Sequence, residues 1–124
     1  MSALQLHALD AIASQVVDAL EKYGTDAERM MAAWPDLELY REVSDQIEGI
    51  RLYSGALPEA RVQWVELLIA HAELIHFLWR LQYGDREAAL GQIGPVRDRH
   101  ADAVAALRRR CMRLASRSRQ NVAG

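Results

Sequence analysis

Most of this chain repeats apolar side chains at the spacing of an α-helix, and only a few Gly and Pro residues interrupt the repeat. Gly24, Gly55, Gly84 and the Gly94-Pro95 pair divide the 124 residues into four long segments. Twenty Ala and sixteen Leu stand against fifteen Val, Ile and Thr together, which favours helices over strands. The sequence therefore predicts an all-α protein.

The segments predict four main helices joined by short loops. They cover about residues 2–23, 35–54, 58–83 and 95–116. Short connections favour antiparallel neighbours, so the expected fold is an antiparallel up-down four-helix bundle with one or two short connecting helices. We expect residues 1–117 to form a single helical domain and residues 118–124 to be a frayed C-terminal end.

The short helices are expected beside the Gly and Pro breaks. Thr25-Asp-Ala-Glu28 has the spacing of a capping box and would open a short helix after Gly24 has ended the first main one. Asp85 would cap a second short helix that ends before Gly94-Pro95. Trp34 precedes Pro35 and is therefore biased away from helical dihedrals, which predicts a break there.

The third segment differs from the others because apolar side chains cover nearly its whole circumference. Its polar strip is thin and consists of Glu66, Glu73 and Arg80, each seven residues from the next. Val62, Ile69 and Phe77 lie near that strip, on a face that a monomeric bundle leaves in water. This helix is expected either to be the centre of the bundle or to carry a partner surface.

The charges of the chain are unevenly distributed. Residues 1–96 carry seven Lys and Arg against fifteen Asp and Glu, whereas residues 97–124 carry eight Arg against two Asp. The chain is therefore an acidic body with a basic end. Lys22 is the single lysine, a bias typical of a GC-rich bacterial genome.

The sequence also bears on the compartment. The single cysteine, Cys111, excludes a disulfide framework. Residues 1–20 lack the basic start and uninterrupted apolar stretch of a signal peptide. The most apolar stretch, 62–79, contains two Glu and two His, too many polar groups for a membrane span. We expect a cytoplasmic protein that does not cross a membrane.

Motifs that carry chemistry are scarce in this sequence. It contains no Gly-rich phosphate loop, no nucleophile elbow and no zinc-ligand spacing, so we assign no catalytic, cofactor-binding or metal-binding residues and expect no cofactor. Glu73-x-x-His76 has the spacing of one half of a di-iron site. That chemistry needs two such motifs, and a solvated Glu–His pair is the favoured interpretation.

His71 and His100 each lie within an apolar stripe, and if they faced each other across the bundle they could bind a metal or shuttle a proton. The favoured interpretation is two buried neutral imidazoles that are hydrogen-bonded to carboxylates or carbonyls. The alternative is a metal- or ligand-binding bundle built around this pair. Cys111 is interpreted as a small buried hydrophobe.

One candidate protein-interaction surface combines an apolar patch with an acidic helix face. Its members are Met30, Met31, Trp34, Leu37, Glu38, Glu42, Asp45, Glu48 and Leu52. Exposed together, the apolar residues would form a contact patch. In the alternative, the short helix folds back as a lid and buries Met30, Met31 and Trp34.

The arginine-rich end is the second candidate surface. Arg109, Arg110, Arg113 and Arg117 share one helical face and could bind phosphate groups. No aromatic residues are interleaved for base stacking, and the acidic body would repel the same phosphates. We favour a structural role, in which these side chains complement the helix dipole or pair with the acidic face of the second segment.

These observations predict a non-catalytic helical module for protein interaction, such as an adaptor, an inhibitor or a regulatory subunit. A protein partner is expected, and a second copy of the chain in a homodimer is one candidate. A nucleic-acid-associated protein that uses the arginine-rich end is the first alternative. The metal- or ligand-binding bundle around His71 and His100 is the second.

Overall fold

The computed structural model describes the backbone of residues 3–123 and the side chains of that range except those of residues 6 and 117–123. It contains α1 (Ala3–Ala32), α2 (Leu37–Ser54), a short 3-10 helix (Pro58–Ala60), α3 (Arg61–Tyr83) and α4 (Arg86–Ala123). Helices make up nearly all of this range and the described residues contain no strand, so the predicted all-α class is confirmed.

Neighbouring helices run antiparallel. Glu21 of α1 pairs with Arg108 of α4 and Glu28 pairs with Arg97, so the residue numbers rise along one helix as they fall along the other. Glu73 of α3 pairs with Arg99, and Glu59 just before α3 pairs with Arg110, so α3 and α4 also run antiparallel. Helix α1 packs on α2 and on α4, and α4 packs on α3, whereas α2 and α3 touch at few positions. The predicted up-down bundle is confirmed, with α1 and α4 as its central pair.

The predicted end of the first helix at Gly24 is wrong. Helix α1 continues through Gly24 to Ala32, and Thr25 does not begin a capping box. The Thr25 hydroxyl instead donates to the Glu21 carbonyl, 3.1 Å away, as it does within a continuous helix. Gly24 tolerates the left-handed conformation but does not require it, and packing of both flanks against α4 keeps the helix intact.

The predicted break at Gly94-Pro95 is wrong for a similar reason. Asp85 does cap α4, since its carboxylate accepts from the Ala88 amide at 3.2 Å. The helix then continues through Pro95 instead of ending near Gln92. Pro95 lacks the amide hydrogen that would bond to the carbonyl four residues earlier. The loss is confined to this one hydrogen bond, because Pro95 is exposed and the next residue, Val96, is buried in the core.

Two other boundaries agree with the sequence. Helix α1 ends before Pro35, and α2 begins after Asp36, whose carboxylate accepts from the amides of Glu38 and Leu39. Pro58 opens the 3-10 helix that leads into α3, where its missing amide hydrogen costs nothing. The short connecting helices that the sequence predicts after Gly24 and after Asp85 are instead continuous parts of α1 and α4.

One hydrophobic core joins all four helices. Helix α3 is not its centre, because it buries only one face, formed by Trp64, Leu67, Ala70, Leu74 and Leu78. Leu68 is 39 % exposed, although its apolar surroundings in the sequence suggest a core position. Of the two roles that the sequence left open for α3, the central one is therefore excluded.

Helix α4 is continuous to Ala123, but the side chains of 117–123 and all of Gly124 lie outside the described residues. The predicted domain limit at 117 and the predicted fraying of 118–124 thus stay predictions. Within the described part of the chain, no helix combines the length and the apolar character that a membrane crossing needs.

Candidate functional site

The outer face of α3 is apolar and exposed. Val62 is 64 % exposed, Ile69 is 61 % exposed and Val65 is 42 % exposed. Ala72 and His76 continue the same face toward the end of the helix, and both are exposed. We call these five residues the α3 stripe. This row of exposed β-branched side chains on one helix face is a candidate contact surface.

The polar residues beside the stripe differ in whether they are engaged. Glu73 pairs with Arg99 of α4 across the edge of the helix. Arg61 and Glu66 are exposed, and neither has an ion-pair partner among the described side chains. The charges available to a partner therefore lie at the N-terminal end of the stripe.

The apolar patch that the sequence suggested near Pro35 does not form as a unit. Met30 is fully buried, and Met31 and Trp34 are half-buried against the core. Trp34 lies edge-on to Trp79, with 4.8 Å between the ring centroids, and edge-on to Tyr40. Met30 therefore cannot belong to a contact surface, and no short helix folds back as a lid, because Met30 and Met31 lie in the last turns of the continuous α1.

The other members of that proposed surface are exposed on α2. Leu37 and Leu52 are exposed, but they lie at opposite ends of the helix and do not form one patch. The acidic residues Glu38, Glu42, Asp45 and Glu48 are exposed as well. Glu48 pairs with Arg51 one turn away at 3.0 Å, an exposed pair that contributes little to stability.

The arginine-rich end is partly engaged within the bundle. Arg110 donates from Nε to the Glu59 carbonyl at 2.9 Å, whereas Arg109 and Arg113 are exposed. The side chain of Arg117 lies outside the described residues. Arg108 pairs with Glu21 of α1 and not with the acidic face of α2, because α2 and α4 are diagonal in the bundle.

A second candidate site lies inside the bundle, where three helices place polar rings together. The Tyr23 hydroxyl of α1 is 2.6 Å from Nδ1 of His71 on α3 and 2.7 Å from Nε2 of His100 on α4. The two imidazole centroids are 6.5 Å apart. We call these three residues the Tyr-His-His cluster. The hydroxyl donates its one hydrogen to one ring nitrogen and accepts from the other.

The protonation states of the cluster follow from its burial. Tyr23 is fully buried, His100 is 3 % exposed and His71 is half-buried. Burial lowers the pKa of both His71 and His100 to about 4, and for His100 the neighbouring His71 adds to the effect. Burial also raises the pKa of Tyr23 far above its usual value. The predicted burial holds for His100, whereas His71 is only half-buried, and the lowered pKa values favour the neutral form of both rings near pH 7.

The hydrogen-bond partner of the histidines differs from the prediction. Carboxylates or carbonyls were expected, and a tyrosine hydroxyl takes that place. It bonds to one nitrogen of each ring, Nδ1 of His71 and Nε2 of His100. The residues described contain no group of three His, Cys, Asp or Glu that could hold a metal ion. Cys111 is buried, and burial raises the pKa of its thiol to about 11.

Asp26 is a buried carboxylate that the sequence pattern does not single out, because it lies within residues 25–28, which have the spacing of a capping box. It accepts from Lys22 at 2.8 Å, from Arg29 at 3.2 Å and from Gln46 of α2 at 2.7 Å. These hydrogen bonds, led by the one from Lys22, lower the pKa of Asp26 to about 2. Its role is to fasten α2 to α1, and the spacing of Lys22 and Arg29 around it was the available signal.

No model of a known protein family, no curated protein and no solved structure matches this chain.

Proposed function

We propose that this chain is a non-catalytic protein-interaction module that binds its partner through the α3 stripe. The observation that carries the proposal is the exposure of Val62, Val65 and Ile69 on a helix whose opposite face is packed in the core. Burying such side chains against a partner releases the water that they order, which is the main favourable term in protein association.

The organisation of the rest of the molecule is consistent with a binding role. The polar groups that could perform chemistry are engaged with one another inside the bundle, as in the Tyr-His-His cluster. The exposed acidic face of α2 would repel acidic partners and attract basic ones, which affects the rate and specificity of association more than its affinity. Both features suit a small adaptor, inhibitor or regulatory subunit.

We further propose that the module works in a bacterial cytoplasm. Arginine replaces lysine at fourteen of the fifteen basic positions, as GC-rich bacterial codon usage favours. The only cysteine is buried as a free thiol, which fits a reducing compartment.

Site-specific photocrosslinking in the native host tests the proposed function. A photoreactive amino acid at Ile69 should give discrete higher-mass adducts that contain a protein partner. The matched control is the same group at Leu52, which is 73 % exposed on α2 and outside the α3 stripe. Identical crosslinking patterns at the two positions would show that the stripe has no specific partner and would contradict the proposal.

A further inference from the structure

We infer that the partner of the α3 stripe is a second copy of this chain, bound with the two α3 helices parallel and in register. This inference rests on the proposed function and names the partner of the same surface. Two observations carry it, the spacing of the stripe and the placement of charges beside it, and the size of the stripe sets the expected affinity.

The stripe has the spacing of a coiled coil. Its residues follow one another at steps of three, four, three and four, which are the a and d positions of a heptad repeat. Val62, Ile69 and His76 take the a positions, while Val65 and Ala72 take the d positions. Residues at these steps form the seam along which two helices supercoil around each other. β-Branched residues at a are also typical of parallel pairs.

The flanking charges favour the parallel orientation. In this register Arg61 occupies a g position and Glu66 the following e position. In a parallel pair the g residue of one helix faces the following e residue of the other, so Arg61 of each copy would meet Glu66 of the second copy. Both side chains are exposed and have no ion-pair partner among the described residues of their own chain. The pairing therefore uses the two charges that the fold leaves available.

The antiparallel orientation brings like charges together. It places e positions against e positions, so Glu66 of one copy would lie near Glu66 or Glu73 of the other. Like charges across such an interface oppose association. In the parallel pair Glu73 meets Leu68 of the second copy instead and keeps its own pairing with Arg99.

The size of the stripe sets the strength that we expect. From Val62 to His76 it is about 21 Å long at the rise of an α-helix. A single stripe of this length buries less surface than a standard interface, which buries about 800 Å² per partner. The dimer should therefore be weak and concentration-dependent, with a dissociation constant on the order of 10–100 µM.

Sedimentation equilibrium of the purified chain tests the dimer. We expect the apparent mass to rise from 14.0 kDa toward twice that value with concentration. Ile69→Glu should raise the dissociation constant at least about tenfold, because it would bury two carboxylates against each other. Leu52→Glu on α2 is the matched control and should leave the constant unchanged. A monomer at every concentration up to about 500 µM would overturn the inference, since even a weak interface would be occupied there.

A cysteine placed at one end of the stripe tests the orientation. The native Cys111 is buried, so Val62→Cys introduces an accessible thiol with little background. In the parallel pair the two introduced thiols face each other within the roughly 7 Å between Cα atoms that a disulfide spans. We expect a disulfide-linked dimer under mild oxidation and its loss in the Val62→Cys, Ile69→Glu double variant. A dimer that never crosslinks at this position would overturn the parallel register.

A charge exchange tests the flanking pair. Arg61→Glu and Glu66→Arg should each weaken the dimer by about three- to tenfold, and the double variant should restore it. Failure of the double variant to recover would overturn the assigned pairing. The proposed function and this inference can fail separately, because specific crosslinks from Ile69 to a different protein, combined with a monomeric purified chain, would preserve the first and exclude the second.

Discussion

Tyr23 places one hydroxyl between two imidazoles, and each of the three groups depends on the others to satisfy polar atoms inside the bundle. Because the three residues come from α1, α3 and α4, the hydrogen bonds also fix the relative height of these helices. A buried polar network of this kind is favourable only while every member keeps its partner.

Replacing Tyr23 by Phe should therefore destabilise the protein despite the similar shape. The ring stays in place, but two buried imidazole nitrogens lose their shared partner, which costs about 1–3 kcal/mol. Urea unfolding of Tyr23→Phe measures this loss. The control is Tyr83→Phe, since Tyr83 is 78 % exposed and its hydroxyl can bond to water. Equal stability of the two variants would contradict a structural role for the hydroxyl.

The same cluster predicts how stability depends on pH. The pKa of each imidazole is about 4 in the folded chain and about 6.5 when unfolded, so protons bind preferentially to the unfolded chain between these values. The free energy of unfolding should be constant just above pH 6.5 and should fall as the pH drops from 6.5 toward 4. The slope is at most about 1.4 kcal/mol per pH unit for each histidine.

Two measurements check this dependence. Urea unfolding at pH 7, 6 and 5 gives the slope, and NMR of the imidazole nitrogens should show neutral rings at pH 5.5. Asp26 affects stability at lower pH than the histidines do. Because its pKa is about 2 in the folded chain, the stability that its carboxylate adds is lost only at pH values below about 4. Unchanged stability between pH 7 and 5 would mean that water reaches both imidazoles.

At this scale the sequence predicted the state of the histidines but not their partner. Polar residues within apolar stripes are expected to be buried and neutral. His100 is buried and His71 is half-buried, and burial lowers the pKa of both imidazoles. The phase of one helix does not say which residue of another lies at the same height, so Tyr23 could not be assigned as their partner. Met30 illustrates the opposite error, since an assumed helix break placed a fully buried residue on the surface.

At the scale of elements, the number and type of helices were predictable and the interruptions were not. Gly24 and Pro95 both lie inside helices that tertiary packing keeps continuous. The boundaries that the sequence predicted correctly have a local cause, such as Pro35 after Trp34 and the Asp85 cap. Breaks that depend on whether a neighbouring helix covers the site cannot be decided from local sequence.

Gly24→Ala tests the continuity of α1. A Cβ at this position would lie 3.8 Å from Val104, an ordinary contact, so the variant should be more stable by up to about 1 kcal/mol. Gly84→Ala is the contrast, since its Cβ would lie 3.2 Å from the Arg80 carbonyl oxygen and should lower stability. Thermal unfolding compares the two. A loss of stability in Gly24→Ala would indicate a helix end at Gly24 after all.

At the scale of the whole molecule, α1 and α4 form the centre of the bundle, and α3 is a flanking helix with one free face. The all-round apolar pattern of α3 has two causes, burial on one face and the exposed α3 stripe on the other. Periodicity alone cannot separate them, because both kinds of contact surface use the same residues.

Two leucine truncations distinguish the centre from the flank. Leu107 of α4 is fully buried, so Leu107→Ala should cost about 2–5 kcal/mol in the free energy of unfolding. Leu68 of α3 is 39 % exposed, and Leu68→Ala should cost less than about 1 kcal/mol. Chemical denaturation at low protein concentration keeps association out of the comparison. A larger loss for Leu68 than for Leu107 would restore α3 as the structural centre.

The sparse contact between α2 and α3 gives the molecule a preferred order of opening. Helix α2 is attached mainly along one side, to α1, through apolar packing and the Asp26–Gln46 hydrogen bond, whereas α1, α3 and α4 also share the Tyr-His-His cluster. Detaching α2 alone would expose less apolar surface than detaching α1 or α4, so the backbone amides of α2 should exchange with deuterated water through a smaller opening than those of α1 and α4. The three remaining helices would then form a transient, partly open state from which the whole fold is lost.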